Sequence, residues 1–277
     1  MNDRYTAAGV AAAVAAGRRL GLPADRPEIL AFGANVLVRL GPAVARVPAT
    51  TLITRPDTEY RLACDVAIST FLAERDVPVV EPWEDPGPHV VDGLPVTLWR
   101  FTRHDPGYRF TPAEVGVLLS DLHEALRDYP GELPVDPVTE LHRALEVFRD
   151  ELPADRLRAL ADELVLDGPA QPLHGDAHAG NLLATPDGPR WLDFEDTWLG
   201  PIGWDLACLA RSPRIDGNAA VAAYAGPVPD LTPFLRLRSL QSVWWLFSVA
   251  RRFPERRDEA RAALAEALNT LPPVEDR

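Results

Sequence analysis

Residues 171–196, Q-P-L-H-G-D-A-H-A-G-N-L-L-A-T-P-D-G-P-R-W-L-D-F-E-D, constrain the fold of this chain more than any other stretch. They read as a short strand, a polar loop, a hairpin turn and a second strand ending in carboxylates. The loop sets His174, Asp176, His178 and Asn181 within eight residues, and Leu182 and Leu183 lead into a turn at Pro186, Asp187, Gly188 and Pro189. A turn this tight folds Trp191 and Leu192 back along the first strand, so Asp193 returns beside Asn181. A carboxylate able to accept a proton (Asp176), an amide oxygen (Asn181) and a second carboxylate (Asp193) then surround one point. Phosphoryl transfer to a hydroxyl calls for such a trio: one group orients the nucleophile, and two hard oxygens hold Mg²⁺ on the nucleotide phosphates.

Asp, Asn and Gly also cap ordinary loops. That accounts for any one of these residues, but not for the ordered set followed by a turn and D-F-E-D. The order His174-Gly175-Asp176, Asn181, Asp193-Phe194-Glu195 fits the pattern H-G-D-x-x-x-x-N followed by D-F/W-E/G. By it the chain resembles the aminoglycoside phosphotransferase-like family of small-molecule kinases.

The resemblance implies an α+β, two-lobed, protein-kinase-like fold. Residues 1–103 would form a small β-sheet lobe with one main helix that binds nucleotide. Residues 104–277 would form a larger, mostly helical lobe with the catalytic loop and acceptor pocket. Asp176 is then the catalytic carboxylate, His174 supports its loop by hydrogen bonding, and Asn181 and Asp193 hold the metal. Gly33 and Asn35 lie in the turn F-G-A-N that would cover the phosphates. Arg46 stands where the family commonly has a lysine at the α- and β-phosphates. Its helix partner falls on Asp65, with Glu59 as a competitor. Backbone groups around Leu98 to Phe101, Arg100 included, would meet the adenine edge. Asp205, in W-D-L-A, would brace the catalytic loop. His178, Glu195, Asp196, Trp244 and Trp245 are candidate contacts to substrate.

Composition sets the outer bounds. A chain of 277 residues, 47% hydrophobic and 25% charged, can bury one large core or two lobes around a cleft. The net charge of −13 opposes nucleic-acid binding and suits a cationic or neutral small substrate. The chain has no lysine, so every fixed side-chain positive charge is an arginine. Residues 7–16 are apolar but too short to span a bilayer and lack a basic start. Cys64 and Cys208 read as buried thiols. Together these features suggest a cytoplasmic protein without a membrane partner, and leave its oligomeric state open.

Periodicity predicts a helix over residues 3–20, strands at 29–32, 35–40 and 43–47, and a helix over 58–75. Strands follow at 79–83 and 94–101 across a Pro/Gly-rich loop. Thereafter helices are expected at 111–126, 136–152, 153–166, 216–224, 232–252 and 254–269. His123 lies beside the apolar stripe of its helix and reads as a core histidine.

The leading function is an ATP- or GTP-dependent, Mg-dependent kinase acting on a hydroxyl of a small, amine-bearing molecule. A nucleotide-binding pseudokinase or regulatory protein is the alternative suggested by Arg46 and the sparse glycine turn. A metal-dependent hydrolase would instead use His174, Asp176, His178 and Asp193 as ligands.

Overall fold

The computed structural model describes residues 4–270. Asp3, the expected start of the first helix, lies outside them, as do the other outermost residues of the two expected lobes. The fold is α+β and two-lobed.

In the first lobe an antiparallel sheet runs in the order β1-β2-β3-β5-β4. Its strands are β1 (Glu28–Phe32), β2 (Asn35–Leu40), β3 (Ala43–Pro48), β4 (His89–Val91) and β5 (Leu94–Arg100). Val36, Val38 and Leu40 alternate with half-buried neighbours along β2, and Val96 and Leu98 do the same job on β5, giving one apolar face. Helix α1 (Arg4–Arg19) lays Ala12, Ala13 and Ala16 on that face. Small side chains are needed because the approach is close: a Cβ on Gly17 would sit 2.5 Å from Leu40 Cδ1. The opposite face carries Leu37, Val44, Arg46 and Trp99 towards the cleft between the lobes. Edge strand β1 leaves Ile29, Leu30 and Phe32 exposed.

Helix α2 (Thr58–Ala73) buries Leu62, Ile68 and Leu72, and sets Arg61, Asp65 and Ser69 one turn apart, also buried. The strand expected over residues 79–83 does not form; single bridges join Val79 to Trp191 and Pro82 to Trp99. Pro78 and Pro82 remove backbone donors that a ladder needs. Beyond β3, β5 pairs with β4, from the stretch that composition reads as loop.

The second lobe holds α3 (Pro112–Leu126), α4 (Pro137–Val147), α5 (Ala154–Asp162), α6 (Gly203–Ala210), α7 (Gly217–Ala222), α8 (Thr232–Arg252) and α9 (Arg257–Thr270). α3 starts with the expected capping box: Thr111 Oγ1 accepts from Glu114 N–H at 3.2 Å, and Glu114 Oε2 accepts from Thr111 N–H at 2.7 Å. Short strands β6 (Ala170–Pro172) and β9 (Leu199–Pro201) pair with each other. The expected hairpin is β7 (Leu182–Thr185) with β8 (Gly188–Trp191), closed by Pro186 and Asp187. The loop between β6 and β7 threads between two cores: Leu173 is buried in one, Ala177 and Ala179 in the other.

Two arginines tie the lobes together. Arg55, just before α2, pairs with Glu140 on α4 and with Asp196, and Arg61 lies 3.6 Å from each of the same carboxylates. Cys64 and Cys208 are both buried free thiols. Among the described residues no helix is long and apolar enough to cross a membrane.

Candidate active site

Asp205 braces the loop between β6 and β7 from beneath. Fully buried at the start of α6, it accepts the His174 N–H on Oδ2 and the Gly175 N–H on Oδ1, both at 2.8 Å. Its Oδ2 also accepts Nε2–H of the buried His123 at 3.0 Å, and His123 Nδ1 accepts the Tyr224 hydroxyl at 2.9 Å. The Trp204 indole N–H donates to Gly175 O at 2.7 Å. Gly175 has φ +86°, and a Cβ there would fall 1.7 Å from the Asp196 carbonyl oxygen. Only glycine permits this crossing of two chain segments.

His174 faces away from the cavity above the loop. Its Nε2–H donates to Leu192 O at 3.1 Å, its Nδ1 accepts the Asp176 N–H at 3.3 Å, and its ring lies between Trp191 and Phe194. Backbone groups thus occupy both nitrogens and fix the neutral tautomer, while burial lowers its pKa below the ordinary value. This imidazole holds the loop; it is not positioned to move a proton to substrate.

A cavity of about 300 Å³ opens above the loop. It is lined by Asp176, His178, Asn181, Asp193, Glu195, Asp196, Trp244 and Trp245, which the sequence singles out, and by Arg55, Arg238, Gln241, Ser242 and Thr51, which it does not. Asp176 Oδ1 pairs with Arg238, and Oδ2 lies 3.3 Å from His178 Nε2. The Gly180 N–H donates to His178 Nδ1 at 2.9 Å, which leaves the ring hydrogen on Nε2, facing Asp176. Burial opposes the charge on Asp176, but Arg238, with His178 and His174, holds the carboxyl well below the usual carboxylate range. Asn181 donates from its amide nitrogen to Asp176 O at 2.9 Å, leaving the amide oxygen as its free end.

Asp193 follows β8 in a left-handed conformation, φ +72°, uncommon for a residue with a side chain. Arg46, reaching across from β3, puts NH2 2.6 Å from Asp193 Oδ1 and 2.7 Å from Glu195 Oε2, and NH1 2.5 Å from Asp65 Oδ2. Asp65, fully buried, also accepts the Phe194 N–H at 3.0 Å. The competing Glu59 is exposed. Burial opposes the charge on Arg46, and the carboxylates of Asp193, Glu195 and Asp65 hold it protonated. Burial pushes the Asp65 and Glu195 carboxyls up, each to about 7, against the pull of Arg46.

A second cavity, of about 310 Å³, lies under the sheet. Arg46 and Asp193 line it with apolar side chains of both lobes, among them Leu30, Val44, Trp99, Leu183 and Leu192. Arg100, Phe101 and Thr102 form its rim at the interlobe connection. Leu98 does not belong to it: its side chain is in the sheet core, its N–H donates to Pro86 O, and its C=O accepts from Trp83. Gly33 lies outside both linings; Arg252 on α8 and Thr50 donate to its carbonyl oxygen. Asn35 turns to Arg46, with its amide oxygen 3.0 Å from both NH2 and Nε once the amide is oriented to accept.

Glu195 and Asp196 line the first cavity but are not free for an amine. Glu195 is held by Arg46 and Asp196 by Arg55. The missed residues leave one signal in the sequence. On α8, Arg238, Gln241, Trp245, Ser248 and Arg252 recur every three or four residues, a polar row along one helix side.

Asn181 and Asp193 supply an amide and a carboxylate oxygen, donors that fit a hard cation such as Mg²⁺ completed by phosphate and water. Among the described residues no three of His, Cys, Asp and Glu converge as a metal cage. The hydrolase arrangement therefore lacks its ligand set, and His174 has both nitrogens on backbone.

Residues 33–227 match the profile of the Phosphotransferase enzyme family, more than half of the chain. The chain belongs to that family. Among solved structures, this family member is similar to an aminoglycoside-3'-phosphotransferase of type VIII, with TM-score 0.61, 20% identity and 84% of this chain and 99% of that one covered. It is also similar to an amicoumacin kinase solved with AMP-PNP, Ca²⁺ and amicoumacin, with TM-score 0.60, 13% identity and 90% and 89% coverage. A stretch of 109 residues is 28% identical to methylthioribose kinase 1 of Oryza sativa subsp. japonica, covering 37% of this chain and 23% of that kinase. The match thus spans about a quarter of the curated relative.

Proposed function

We propose that this phosphotransferase-family protein transfers the γ-phosphate of ATP or GTP to a hydroxyl of a small molecule, with Mg²⁺. The observation that carries the reading is that Asp193 lines both cavities, one apolar and under the sheet, the other polar and above the catalytic loop. A nucleotide in the first would direct its phosphates to the point where an acceptor in the second meets Asp176. The chain proposed as nucleotide lobe is residues 1–103, and the helical lobe 104–277.

Asp176 orients the acceptor hydroxyl and takes its proton late, as the bond to phosphorus forms. Arg46 contributes positive charge beside the nucleotide phosphates, held there by Asp65. Asn181 and Asp193 would hold Mg²⁺, which neutralises charge on the phosphates. The complex of the amicoumacin kinase with AMP-PNP and Ca²⁺ supports a nucleotide with a divalent cation as the donor. A nucleotide-consuming enzyme of this kind would work in the cytoplasm. An amine-bearing acceptor has less support than the sequence suggests, because Glu195 and Asp196 already face arginines.

A nucleotide-consumption screen with Mg²⁺ tests the reading, using hydroxyl compounds of both charges and an Asp176→Asn blank. Acceptor-dependent consumption by the native protein alone supports transfer. Nucleotide binding without consumption across the panel favours the pseudokinase.

A further inference from the structure

The acceptor hydroxyl must come to the carboxylate of Asp176, and a guanidinium already sits there. Arg238 reaches from α8, pairs with Asp176 Oδ1 and donates from NH1 to Gln241 Oε1 at 2.5 Å. Among the described residues Asp176 is its one carboxylate ion-pair partner; its other contacts are the neutral Gln241 amide and the ring of Trp204, 5.9 Å from its guanidinium. Arg55, the second arginine lining the cavity, is different: Glu140 and Asp196 both hold it. The lining carboxylates also have cations of their own, Asp193 and Glu195 on Arg46, Asp196 on Arg55. Arg238 is thus the cation whose partner the acceptor engages.

We propose that Arg238 determines acceptor specificity, receiving a carboxylate carried close to the reacting hydroxyl, so that the acceptor is a hydroxy acid. This inference rests on the phosphotransfer reading. A group next to a hydroxyl bound at Asp176 lies within reach of the guanidinium. An ammonium there meets a like charge, and a neutral group that displaces Asp176 leaves a partly buried cation without a counter-ion. A carboxylate restores the pair through the planar fork, which matches its two oxygens.

The test is calorimetric binding of glycerate, 4-hydroxybutyrate and homoserine, each against its own amide, with ethanolamine and choline as cationic alcohols. The native protein, Arg238→Met and Arg238→Lys are compared, with thermal melts to establish folding. At least one acid binds the native protein about 10- to 100-fold more tightly than its amide, the range of a charge-assisted hydrogen bond. Arg238→Met brings that ratio near one, and Arg238→Lys keeps part of it. No acid preferred over its amide, or preference for the cationic alcohols, overturns the proposal. So does a loss of Mg·AMP-PNP affinity in Arg238→Met with the acid preference intact, which would assign Arg238 to the donor phosphate. Acid preference without phosphate transfer to any compound overturns the phosphotransfer reading instead, and transfer without acid preference overturns only the role of Arg238.

Discussion

Arg46 on β3 and Asp193 after β8 meet at 2.6 Å, across the boundary between the two lobes. The cation proposed to meet the nucleotide and the carboxylate proposed as metal ligand are therefore fixed relative to each other. Asp65 locks the arginine from behind at 2.5 Å.

Arg46→Ala should lower Mg-nucleotide affinity by about 10- to 100-fold, as loss of a charge-assisted contact implies. It should also destabilise the fold by about 3–5 kcal/mol, because Asp65 and Glu195 remain buried without their cation. Arg46→Lys should recover part of each, since one ammonium cannot serve three carboxylates through a fork. Nucleotide titration and urea denaturation measure the two effects. Native affinity in Arg46→Ala would remove Arg46 from the nucleotide site.

Asp193→Asn separates metal from base. It should weaken Mg-nucleotide binding as well as turnover, whereas a change at Asp176 should leave nucleotide binding nearly intact. Titrating Mg²⁺ at fixed nucleotide reads the difference. Equal losses of affinity in the two variants would contradict the assignment.

The trio Asp176, Asn181 and Asp193 was legible in the sequence because a tight hairpin has little freedom: once residues 182–191 pair, the flanking polar residues must converge. The helices were legible from periodicity for the same local reason. What was not legible depends on distant packing. Whether Glu195 faces solvent or Arg46 is decided by a strand some 150 residues earlier in the chain. Arg238 approaches Asp176 only through the docking of α8. The backbone of Leu98 is not free for a ligand because Pro86 and Trp83 take its N–H and C=O, a pairing across the Pro/Gly-rich loop that strand patterning does not reveal.

His174 predicts a pH effect on stability. Burial holds its folded pKa below the value of 6.5 in the unfolded chain. Below pH 6.5 the unfolded chain binds a proton that the folded imidazole resists, so stability falls as pH drops through that value. The slope from this group approaches about 1.4 kcal/mol per pH unit. Above pH 6.5 its contribution is constant. Urea midpoints of the native protein and His174→Gln, taken from pH 5 to 8, should converge towards the acid end. Parallel curves would show that folding leaves the His174 pKa unshifted, contrary to this account.

Gly175→Ala should cost more than an ordinary glycine substitution, since the new Cβ overlaps the Asp196 carbonyl oxygen. A loss of about 3 kcal/mol or more is expected, combining a forbidden backbone conformation with a forced shift of the loop. Activity should fall further than stability, because the same shift moves Asp176. A variant of near-native stability and turnover would refute this account of the loop.

The most direct measurement is transfer of labelled γ-phosphate from Mg-ATP to an acceptor hydroxyl by the native protein and by Asp176→Asn, at saturating nucleotide. The account predicts phosphorylated acceptor with the native protein, and turnover about 10²- to 10⁴-fold lower in Asp176→Asn with nucleotide affinity kept. Equal transfer by the two proteins would contradict it.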